Sequence, residues 1–177
     1  TVVDDFFKTN ARPATNDRIS ISVPDLPKLP PTPFSPRKET KWTTNWNTYG
    51  YDSGSSSFNP KESAIGVNNV DSLAVSWSNR HSSTIRGYVA VFENTAYYGD
   101  YRGQFRAVNA STGKVIWSKQ LSGKHQGHAI YNDVIFVTSV KRLYALDKSN
   151  GKELWVWDSP GGAFTSPTVA DAQLYAQ

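Results

Sequence analysis

Few residues in this chain have types and spacing that suggest chemistry. His125 and His128 stand three positions apart, a separation that on a helix would turn two imidazoles towards one metal ion. Their context, HQGHAIY, predicts instead a loop that leads into a strand, and the sequence has no cysteine and no HExxH motif. We therefore predict no metal site in this span and expect both histidines to be solvated or to lie at a strand edge.

Asp100 stands in an aromatic-lined loop, YYGDYRGQ, together with Tyr98, Tyr101 and Arg102. An aspartate in such a loop can accept hydrogen bonds from the backbone amides of its own turn, or it can face a ligand groove. Both interpretations stay open from the sequence. His81, in the stretch NRHSST, is isolated from the other candidates, and we expect it to lie in a loop.

Composition excludes several classes of function. The chain has 177 residues and a diffuse net charge of +4, without the Lys/Arg cluster that binds nucleic acid. The absence of cysteine excludes disulfides and thiolate metal sites. No apolar run approaches the roughly 20 residues of a transmembrane helix. Because the sequence has no Met and stops within an alternating pattern, we expect a piece of a longer precursor.

The elements that position these residues repeat with a period near 40. AVNASTGKVIW at Ala107–Trp117 returns 38 residues later as ALDKSNGKELW at Ala145–Trp155, and LAVSW ends at Trp77, 40 residues before Trp117. Short alternating stretches rich in Val, Ile, Tyr and Phe surround these motifs, with frequent turn residues. The apolar runs are too short for helices, so the pattern predicts an all-β fold of four-stranded β-propeller blades.

The propeller region is expected to span residues 42–177, with blades near 88–121 and 128–158 and a partial blade from 166. A propeller needs about four to eight blades to close its ring. We therefore predict an incomplete propeller with an exposed sheet edge. Its expected partners are the remaining blades or a complementing chain.

Residues 1–41 differ in kind, because they carry seven of the ten prolines. Proline fixes its own φ and biases the preceding residue towards extended conformations. We predict an extended tail or linker, with one short strand within RISISV at residues 18–23. Two interpretations remain: a leader draped on the surface, or a strand that adds to a partner's sheet.

Each copy of the repeated motif contains residues suited to a tight hairpin and a blade contact. Asp147 can accept hydrogen bonds from turn amides, and Asn150-Gly151 is predicted to supply the positive φ angles that the hairpin needs. A tryptophan then offers a rigid apolar plate for the adjacent blade. The residues predicted to dock blades together are Trp77, Trp117, Trp155, Asp147, Gly113 and Gly151.

The motif resembles the AxDxxTGxExW repeat of the pyrroloquinoline-quinone (PQQ) dehydrogenase superfamily. Ala145–Trp155 departs from it only at Asn150, and Ala107–Trp117 departs at Asn109 and Val115. A second stretch is similar to the N-terminal lead-in of quinoprotein alcohol and polyvinyl-alcohol dehydrogenases. It is carried by Trp46, Tyr49, Gly50, Asp52, Phe58, Asn59, Pro60, Ile65, Asn69, Val70, Leu73 and Trp77.

The resemblance implies a cofactor, PQQ with calcium or a lanthanide, near the propeller axis. The metal ligands and the catalytic aspartate of that family would lie in later blades, beyond Gln177, so no catalytic residue is assigned within this chain. The resemblance carries over only Thr165 and Ser166 as cofactor contacts, in the loop Ser159–Thr168. A glycine-rich loop of this kind is also typical of a plain turn.

Three positions depart from the family pattern. Ile85 or Arg86 stands where a quinone-contacting glutamate is usual, and Gln126-Gly127 stands where Arg-Gly is usual. The vicinal cysteine pair that usually precedes that strand is missing, since the chain has no cysteine. These departures weigh against an intact quinone site.

Two functions are therefore expected from the sequence. The first is the N-terminal part of a secreted or periplasmic PQQ-dependent alcohol dehydrogenase, closest in style to the polyvinyl-alcohol class, which passes electrons to an acceptor protein. The second is a noncatalytic PQQ-like propeller, similar to the assembly lipoprotein of bacterial outer membranes, which acts as a scaffold for protein interactions. The lead-in favours the enzyme, and the three departures favour the scaffold.

Overall fold

The structure, a computed structural model, describes residues 19–22, 45–85, 87–159, 164–170 and 173–176. Over these residues the chain is all-β apart from one turn of 3-10 helix at Val70–Ser72. The strands, in chain order β1 to β11, are Ile19–Ser22, Ala90–Phe92, Thr95–Gly99, Gln104–Asn109, Val115–Gln120, His125–Tyr131, Val134–Ser139, Arg142–Asp147, Glu153–Asp158, Thr168–Ala170 and Gln173–Ala176.

The strands form three antiparallel sheets. β2–β5 and β6–β9 are four-stranded meanders in which each strand pairs with the next along the chain, and the third sheet has the order β1-β11-β10. The first hairpin turns at Glu93 and Asn94, with φ of 46° and 60°, and Asn132 has φ of 52° in the next. Asparagine tolerates this conformation, so Asn94 and Asn132 suit these two turns.

A repeated irregularity precedes each motif tryptophan. In the first sheet Ala107 pairs with Trp117 and Val108 with Val115, so the register shifts between them. In the second sheet Ala145 pairs with Trp155 and Leu146 with Glu153, with the same shift. A bulge bends its strand and re-aims the following side chain. The sequence does not reveal these bulges, because they depend on how two strands pair.

The hairpin at each motif has the same hydrogen bonds. The N–H of Gly113 donates to Asn109 O and the N–H of Gly151 to Asp147 O, both at 2.8 Å. Gly113 and Gly151 have φ of 70° and 72°. Asn150 has no positive φ, so the predicted role of the Asn150-Gly151 pair is corrected to Gly151 alone.

The core lies between the sheets, whose faces pack on one another. The cluster that joins the two four-stranded sheets contains Ala90, Tyr97, Phe105, Ala107, Trp117, Leu121, Ile130, Ile135, Val137, Tyr144 and Leu146. A second cluster joins β6–β9 to the third sheet through Phe136, Leu143, Phe164, Leu174 and Ala176, among others. Burial of these side chains from both faces provides the main driving force for stacking the sheets.

Two tryptophans cross from one repeat to the next. The indole N–H of Trp77 donates to Ala110 O at 2.8 Å, and that of Trp117 donates to Lys148 O at 3.0 Å. A Cβ placed on Gly113 would lie 2.7 Å from Trp77 Cδ2, and one placed on Gly151 would lie 2.5 Å from Trp117 Cε3. Only glycine allows an indole to lie this close to the hairpin.

The lead-in connects all three sheets at their first strands. Trp46 forms a β-bridge with Val91, the N–H of Ile130 donates to Asn47 O at 2.9 Å, and Thr48 Oγ1 donates to Pro167 O at 3.4 Å. β6 contacts both β2 and β10, so the first strands of the sheets lie nearest one another. The beginning of the lead-in, Trp46–Thr48, therefore runs along the first strands of the three sheets.

This architecture is an incomplete β-propeller of four-stranded blades, as the sequence predicts. The predicted strand within residues 18–23 is β1, Ile19–Ser22, which pairs with β11 of the same chain. The rest of the proline-rich tail lies outside the described residues. Among those that are described, no helix is long and apolar enough to cross a bilayer.

Candidate functional site

The candidate residues from the sequence lie together where β6 begins, at His125. We call this region the inner end of β6. A bulge lies here as well, since His125 pairs with Ser139 and Gly127 with Thr138, leaving Gln126 without a register partner. Residues three apart on a regular strand point to opposite faces. The extra residue of the bulge changes that parity, so His125 and His128 reach each other. Gly127 within an apolar strand was the one sequence signal for this bulge.

The two imidazoles form a buried pair. His125 is 2% exposed and His128 is 0% exposed, so the expectation of solvated histidines is wrong, although both do lie in β6, an edge strand of its sheet. His125 Nε2 lies 3.1 Å from His128 Nδ1, where one nitrogen donates and the other accepts. Two protonated rings would each present an N–H here and repel each other. The geometry therefore requires at least one neutral ring.

Aromatic residues close the site around the pair. Tyr88 stacks on the His128 ring with centroids 4.6 Å apart, and its hydroxyl oxygen accepts the His128 backbone N–H at 3.0 Å. Phe105 meets the same ring edge-on at 5.1 Å. A Cβ on Gly99 would lie 2.5 Å from His125 Cγ, so that glycine makes room for the second ring.

Burial lowers the pKa of His128 and raises that of Tyr88. Desolvation, followed by the charge of His125, holds the pKa of His128 well below its ordinary value of 6.5. Burial also raises the pKa of Tyr88 to about 12. Both side chains are thus neutral near pH 7. Because neither histidine reaches solvent, the pair is not placed to exchange protons with a bound substrate.

Asp100 also lies at this end and is 0% exposed. Its Oδ1 accepts the N–H groups of Arg102 and Gln104, each at 2.9 Å, which is the turn role that the sequence left open. Its Oδ2 lies 3.7 Å from His81 Nδ1. The carboxylate therefore organises its own turn and, more distantly, faces the imidazole.

His81 is not isolated, contrary to the sequence expectation. Its side chain is 3% exposed, and its Nε2 lies 3.1 Å from Arg106 Nη1. Arg106 also donates to Gln104 Oε1. Burial and the Arg106 charge lower the pKa of His81, and Asp100 opposes them. The sequence does not predict the cluster of His81, Asp100 and Arg106, because His81 is separated from the other two in the chain.

Thr165 and Ser166 lie against the beginning of β6. Thr138 Oγ1 is 2.8 Å from Thr165 O and 3.2 Å from Gly127 O. Ser166 packs so closely on Gly127 that a Cβ there would lie 2.5 Å from Ser166 Oγ. Thr165 is exposed and Ser166 partly exposed. Part of the glycine-rich loop, residues 160–163, lies outside the described residues.

The fit of this end to a quinone and metal is limited. Thr165 and Ser166 offer hydroxyl groups, which suit the oxygens of a quinone carboxylate. Ile85, 44% exposed, carries no polar group where the family uses a carboxylate. Within the described ranges no three His, Cys, Asp or Glu side chains are grouped to hold a metal ion. Among the residues that the structure describes, Thr165 and Ser166 are the ones that suit a quinone.

A polar groove lies at the opposite end of β6. Its volume is about 310 Å³, and it is lined by Asn45, Asn47, Thr48, Tyr51, Asp52, Ser53, Ala129, Ile130, Tyr131 and Val169. Ser56 donates its N–H and hydroxyl to Asp52 at 3.0 and 2.7 Å, which holds the pKa of that carboxyl below its ordinary value. The groove is thus polar and has the Asp52 carboxylate among its lining residues.

Curated relatives of this chain have different functions. The outer membrane protein assembly factor BamB of Alkalilimnicola ehrlichii is 35% identical over 86 residues, which are 48% of this chain and 22% of that protein. The dehydrogenase subunit of the quinone alcohol dehydrogenase of Gluconacetobacter polyoxogenes is 30% identical over 129 residues, 63% of this chain and 17% of that protein. The chain spans only about a fifth of the length of these two relatives.

Solved structures agree on the fold. Quinohemoprotein alcohol dehydrogenase from Comamonas testosteroni superposes with a TM-score of 0.64 and 23% identity, over 73% of this chain and 22% of that one. A europium-containing methanol dehydrogenase gives a TM-score of 0.64 and 20% identity, over 74% and 27%. At these identities the likeness concerns architecture alone.

The family assignment follows from a repeat profile that matches residues 39–140 and 124–177, most of the chain. Its matched span contains both motif hairpins and the whole of the site described above. The profile is described as outer membrane protein assembly factor BamB. This chain belongs to that PQQ-like repeat family.

Proposed function

We propose that this chain is a noncatalytic propeller scaffold that binds other polypeptides in an extracytoplasmic compartment. The observation that carries the proposal is the closed inner end of β6. There His125 and His128 are hydrogen-bonded to each other and covered by Tyr88 and Phe105. Protein side chains fill the beginning of β6, and the buried, hydrogen-bonded histidine pair packs at the contact between the blades.

The comparisons support the same proposal at the level of family. The matching profile and several relatives are described as outer membrane protein assembly factors, and an assembly factor acts on other proteins. Their description also supports an extracytoplasmic location. The exposed apolar side chains in the second half of the lead-in, Phe58, Ile65, Val67, Val70, Leu73 and Val75, suit protein contact better than solvent.

A second candidate function, PQQ-dependent alcohol oxidation in the style of the polyvinyl-alcohol enzymes, is favoured by one observation. Thr165 and Ser166 present accessible hydroxyls beside Gly127, at the inner end of the sheets. In such an enzyme the quinone, with calcium or a lanthanide, would accept the hydride, and an acceptor protein would take the electrons. This chain's contribution would be two hydrogen bonds that orient the cofactor.

Titration with PQQ in the presence of calcium, and then of lanthanum, separates the two functions. The scaffold proposal expects no saturable quenching of tryptophan fluorescence up to about 100 µM quinone, far above the affinity of a built cofactor site. Saturable one-to-one quenching that Ser166→Ala weakens and Ser111→Ala leaves unchanged would contradict the scaffold and support the enzyme. Ser111 is a matched control because it lies in the exposed hairpin after β4.

A further inference from the structure

Strands β2, β6 and β10 each begin a hairpin at the edge of their sheet, and they share one equivalent position. Val91, Ile130 and Val169 are each the last residue but one of their strand, and each pairs with the second residue of the following strand. In an antiparallel pair, alternate residues point their N–H and C=O groups away from the partner strand. Val91 does so, because both groups bind Trp46 instead. The same register directs the backbone groups of Ile130 and Val169 away from their hairpins.

The lead-in binds these backbone groups, but it binds fewer of them at each successive sheet. At β2 it makes a complete bridge, in which the Val91 N–H donates to Trp46 O at 2.9 Å and the Trp46 N–H donates to Val91 O at 2.7 Å. At β6 there is one hydrogen bond, from the Ile130 N–H to Asn47 O at 2.9 Å. At Val169 the described residues form no such bond. Within the part of the chain that the structure describes, the edge of β10 is therefore open at Val169.

The lead-in turns away just before it reaches Val169. Thr48 still contacts the beginning of β10, since its hydroxyl donates to Pro167 O at 3.4 Å, but Tyr51 follows with φ of 80°. A bulky residue with positive φ is strained, and such strain is concentrated at binding and active sites. Tyr51 packs edge-on against Trp46, with ring centroids 5.2 Å apart. The turn leaves a groove beside Val169 where a second bridge would otherwise lie.

This is the polar groove of about 310 Å³ described above, and its walls offer the groups that an extended peptide binds. The edges of β6 and β10 line it at Ile130 and Val169, together with the side chains of Asn47 and Tyr51. Asn47 Oδ1 is buried and accepts no hydrogen bond in the described part of the chain. A buried acceptor without a donor is unfavourable, and the amide can rotate about χ2 to meet an incoming N–H group. The groove is therefore suited to a ligand with backbone donors and acceptors.

Asp52 gives the groove its charge, because the other residues that line it are neutral. Ser56 donates its N–H to one oxygen of this carboxylate and its hydroxyl to the other. Both oxygens keep a lone pair for a further donor, and none of the salt bridges among the described residues involves Asp52. A lysine or arginine side chain is the charge complement of this site.

We propose that the groove binds an extended, basic segment of a partner polypeptide, which pairs with Val169 as Trp46 pairs with Val91. The segment donates an N–H to Val169 O, accepts the Val169 N–H, and brings a lysine or arginine to Asp52. In this mode of recognition the main-chain hydrogen bonds supply affinity, and the neighbouring side chains supply specificity. The inference rests on the proposed scaffold function, for which it names one class of partner and the place where that partner binds.

The test uses the whole chain and a fluorescein-labelled pentapeptide in which a central valine is flanked by two lysines and then by two threonines. Binding is measured by fluorescence anisotropy, and we expect one peptide per chain with a Kd of about 10–100 µM. Amide hydrogen exchange is followed by NMR at saturating peptide. The amide of Val169 should exchange at least about tenfold more slowly in the complex, whereas that of Val91, which is already hydrogen-bonded, should be unchanged.

Two changes remove the backbone contact and leave every charge in place. N-methylation of the central valine of the peptide removes the N–H that donates to Val169 O, and it should weaken binding at least about tenfold. In the chain, Val169→Pro removes the N–H that donates to the peptide. Proline is accepted at an edge position whose N–H points away from its sheet, so the hairpin should persist while binding weakens by a similar factor. The N-methylated peptide keeps the test valid if Val169→Pro destabilises the sheet, because it leaves the chain unaltered.

A second pair of changes tests the charge. A peptide with glutamates in place of its lysines should bind at least about fivefold more weakly, and Asp52→Asn should remove most of that difference. The matched control is Asp71→Asn, at an exposed aspartate of the 3-10 helix that does not line the groove. This control should preserve the difference between the basic and acidic peptides.

Four results would overturn the proposal. They are no binding of the parent peptide up to about 1 mM, equal binding of the parent and N-methylated peptides, equal binding of the basic and acidic peptides, and binding that leaves exchange at Val169 unchanged. Binding of chitotriose, a neutral saccharide, without binding of the peptide would assign the groove to carbohydrate and overturn it too.

The quinone titration separates failure of this inference from failure of the scaffold function. If neither the peptide nor the quinone binds, the scaffold function stands and the groove is not its binding surface. Saturable binding of the quinone contradicts the scaffold function itself, and the inference then fails with it.

Discussion

Replacing Gly151 by alanine is expected to disrupt the contact between the two four-stranded sheets. Gly151 has φ of 72°, and an added Cβ would lie 2.5 Å from Trp117 Cε3 and 2.9 Å from both Cδ2 and Cζ3. The indole cannot move away freely, because its N–H is bonded to Lys148 O. Either the hairpin or the tryptophan must shift.

The magnitude combines two effects. An alanine at positive φ costs about 1 kcal/mol relative to glycine. Losing the whole packing of a buried tryptophan costs about 3–5 kcal/mol, and a displaced Trp117 should lose about half of that. The sum is about 3 kcal/mol in the free energy of unfolding. For a chain of this size it corresponds to a fall of about 6–12 °C in Tm.

Urea unfolding, followed by tryptophan fluorescence and circular dichroism, measures this change. Gly66→Ala is the matched control, because an added Cβ there meets no atom within 4 Å, and it should change stability by less than about 0.5 kcal/mol. In a Trp117→Ala background, Gly151→Ala should cost only the backbone term of about 1 kcal/mol. Two results would contradict this prediction. One is an equal loss of unfolding free energy in Gly151→Ala and Gly66→Ala, and the other is an undiminished loss for Gly151→Ala in the Trp117→Ala background.

Three further predictions concern the inner end of β6. Because the pKa of His128 is depressed in the folded chain, the unfolded chain takes up a proton first as the pH falls below 6.5. The free energy of unfolding should therefore be highest above that pH and fall by up to about 1.4 kcal/mol per pH unit below it. Urea midpoints from pH 7.5 to 5.0 should show this slope, and the same slope in His128→Gln would contradict it. Asp100→Ala removes two turn hydrogen bonds and should lower the free energy of unfolding, measured in urea, by about 2 kcal/mol. The control Asp133→Ala, at a side chain that is 72% exposed, should lower it by less than about 0.5 kcal/mol. Equal losses in the two variants would mean that the buried hydrogen bonds of Asp100 contribute nothing. Thr138→Val removes the one hydroxyl hydrogen that Thr165 O, at 2.8 Å, and Gly127 O, at 3.2 Å, share. It should lower Tm by several degrees, and Thr138→Ser should restore Tm. An unchanged Tm in Thr138→Val would show that this hydrogen bond is dispensable.

The repeat explains why the fold could be predicted. Its turn residues, alternating strands and recurring tryptophan are local signals that act over a few positions, so they can be recognised in the sequence without the tertiary structure. The hairpin at Gly151 shows this well, because positive φ there is required by the turn itself. The two meanders and their turns at Glu93-Asn94 and Asn132-Asp133 arise from the same local chemistry.

The candidate site was harder to predict. Histidines at 125 and 128 appear in sequence as polar residues that should reach water. Their burial depends on the bulge at Gln126, on the space left by Gly99, and on the ring of Tyr88, which comes from the segment that precedes β2. None of these three conditions is local to the pair.

By itself the sequence determined the period, the strands and the glycine–tryptophan motif of this protein, because each rests on backbone preferences and side-chain alternation within a few residues. Tertiary structure alone decided that two histidines share a dry contact between sheets, that His81, Asp100 and Arg106 meet, and that Ile19–Ser22 pairs with β11. Those outcomes depend on which surfaces come together when the sheets stack, and burial then changes the chemistry of the groups enclosed.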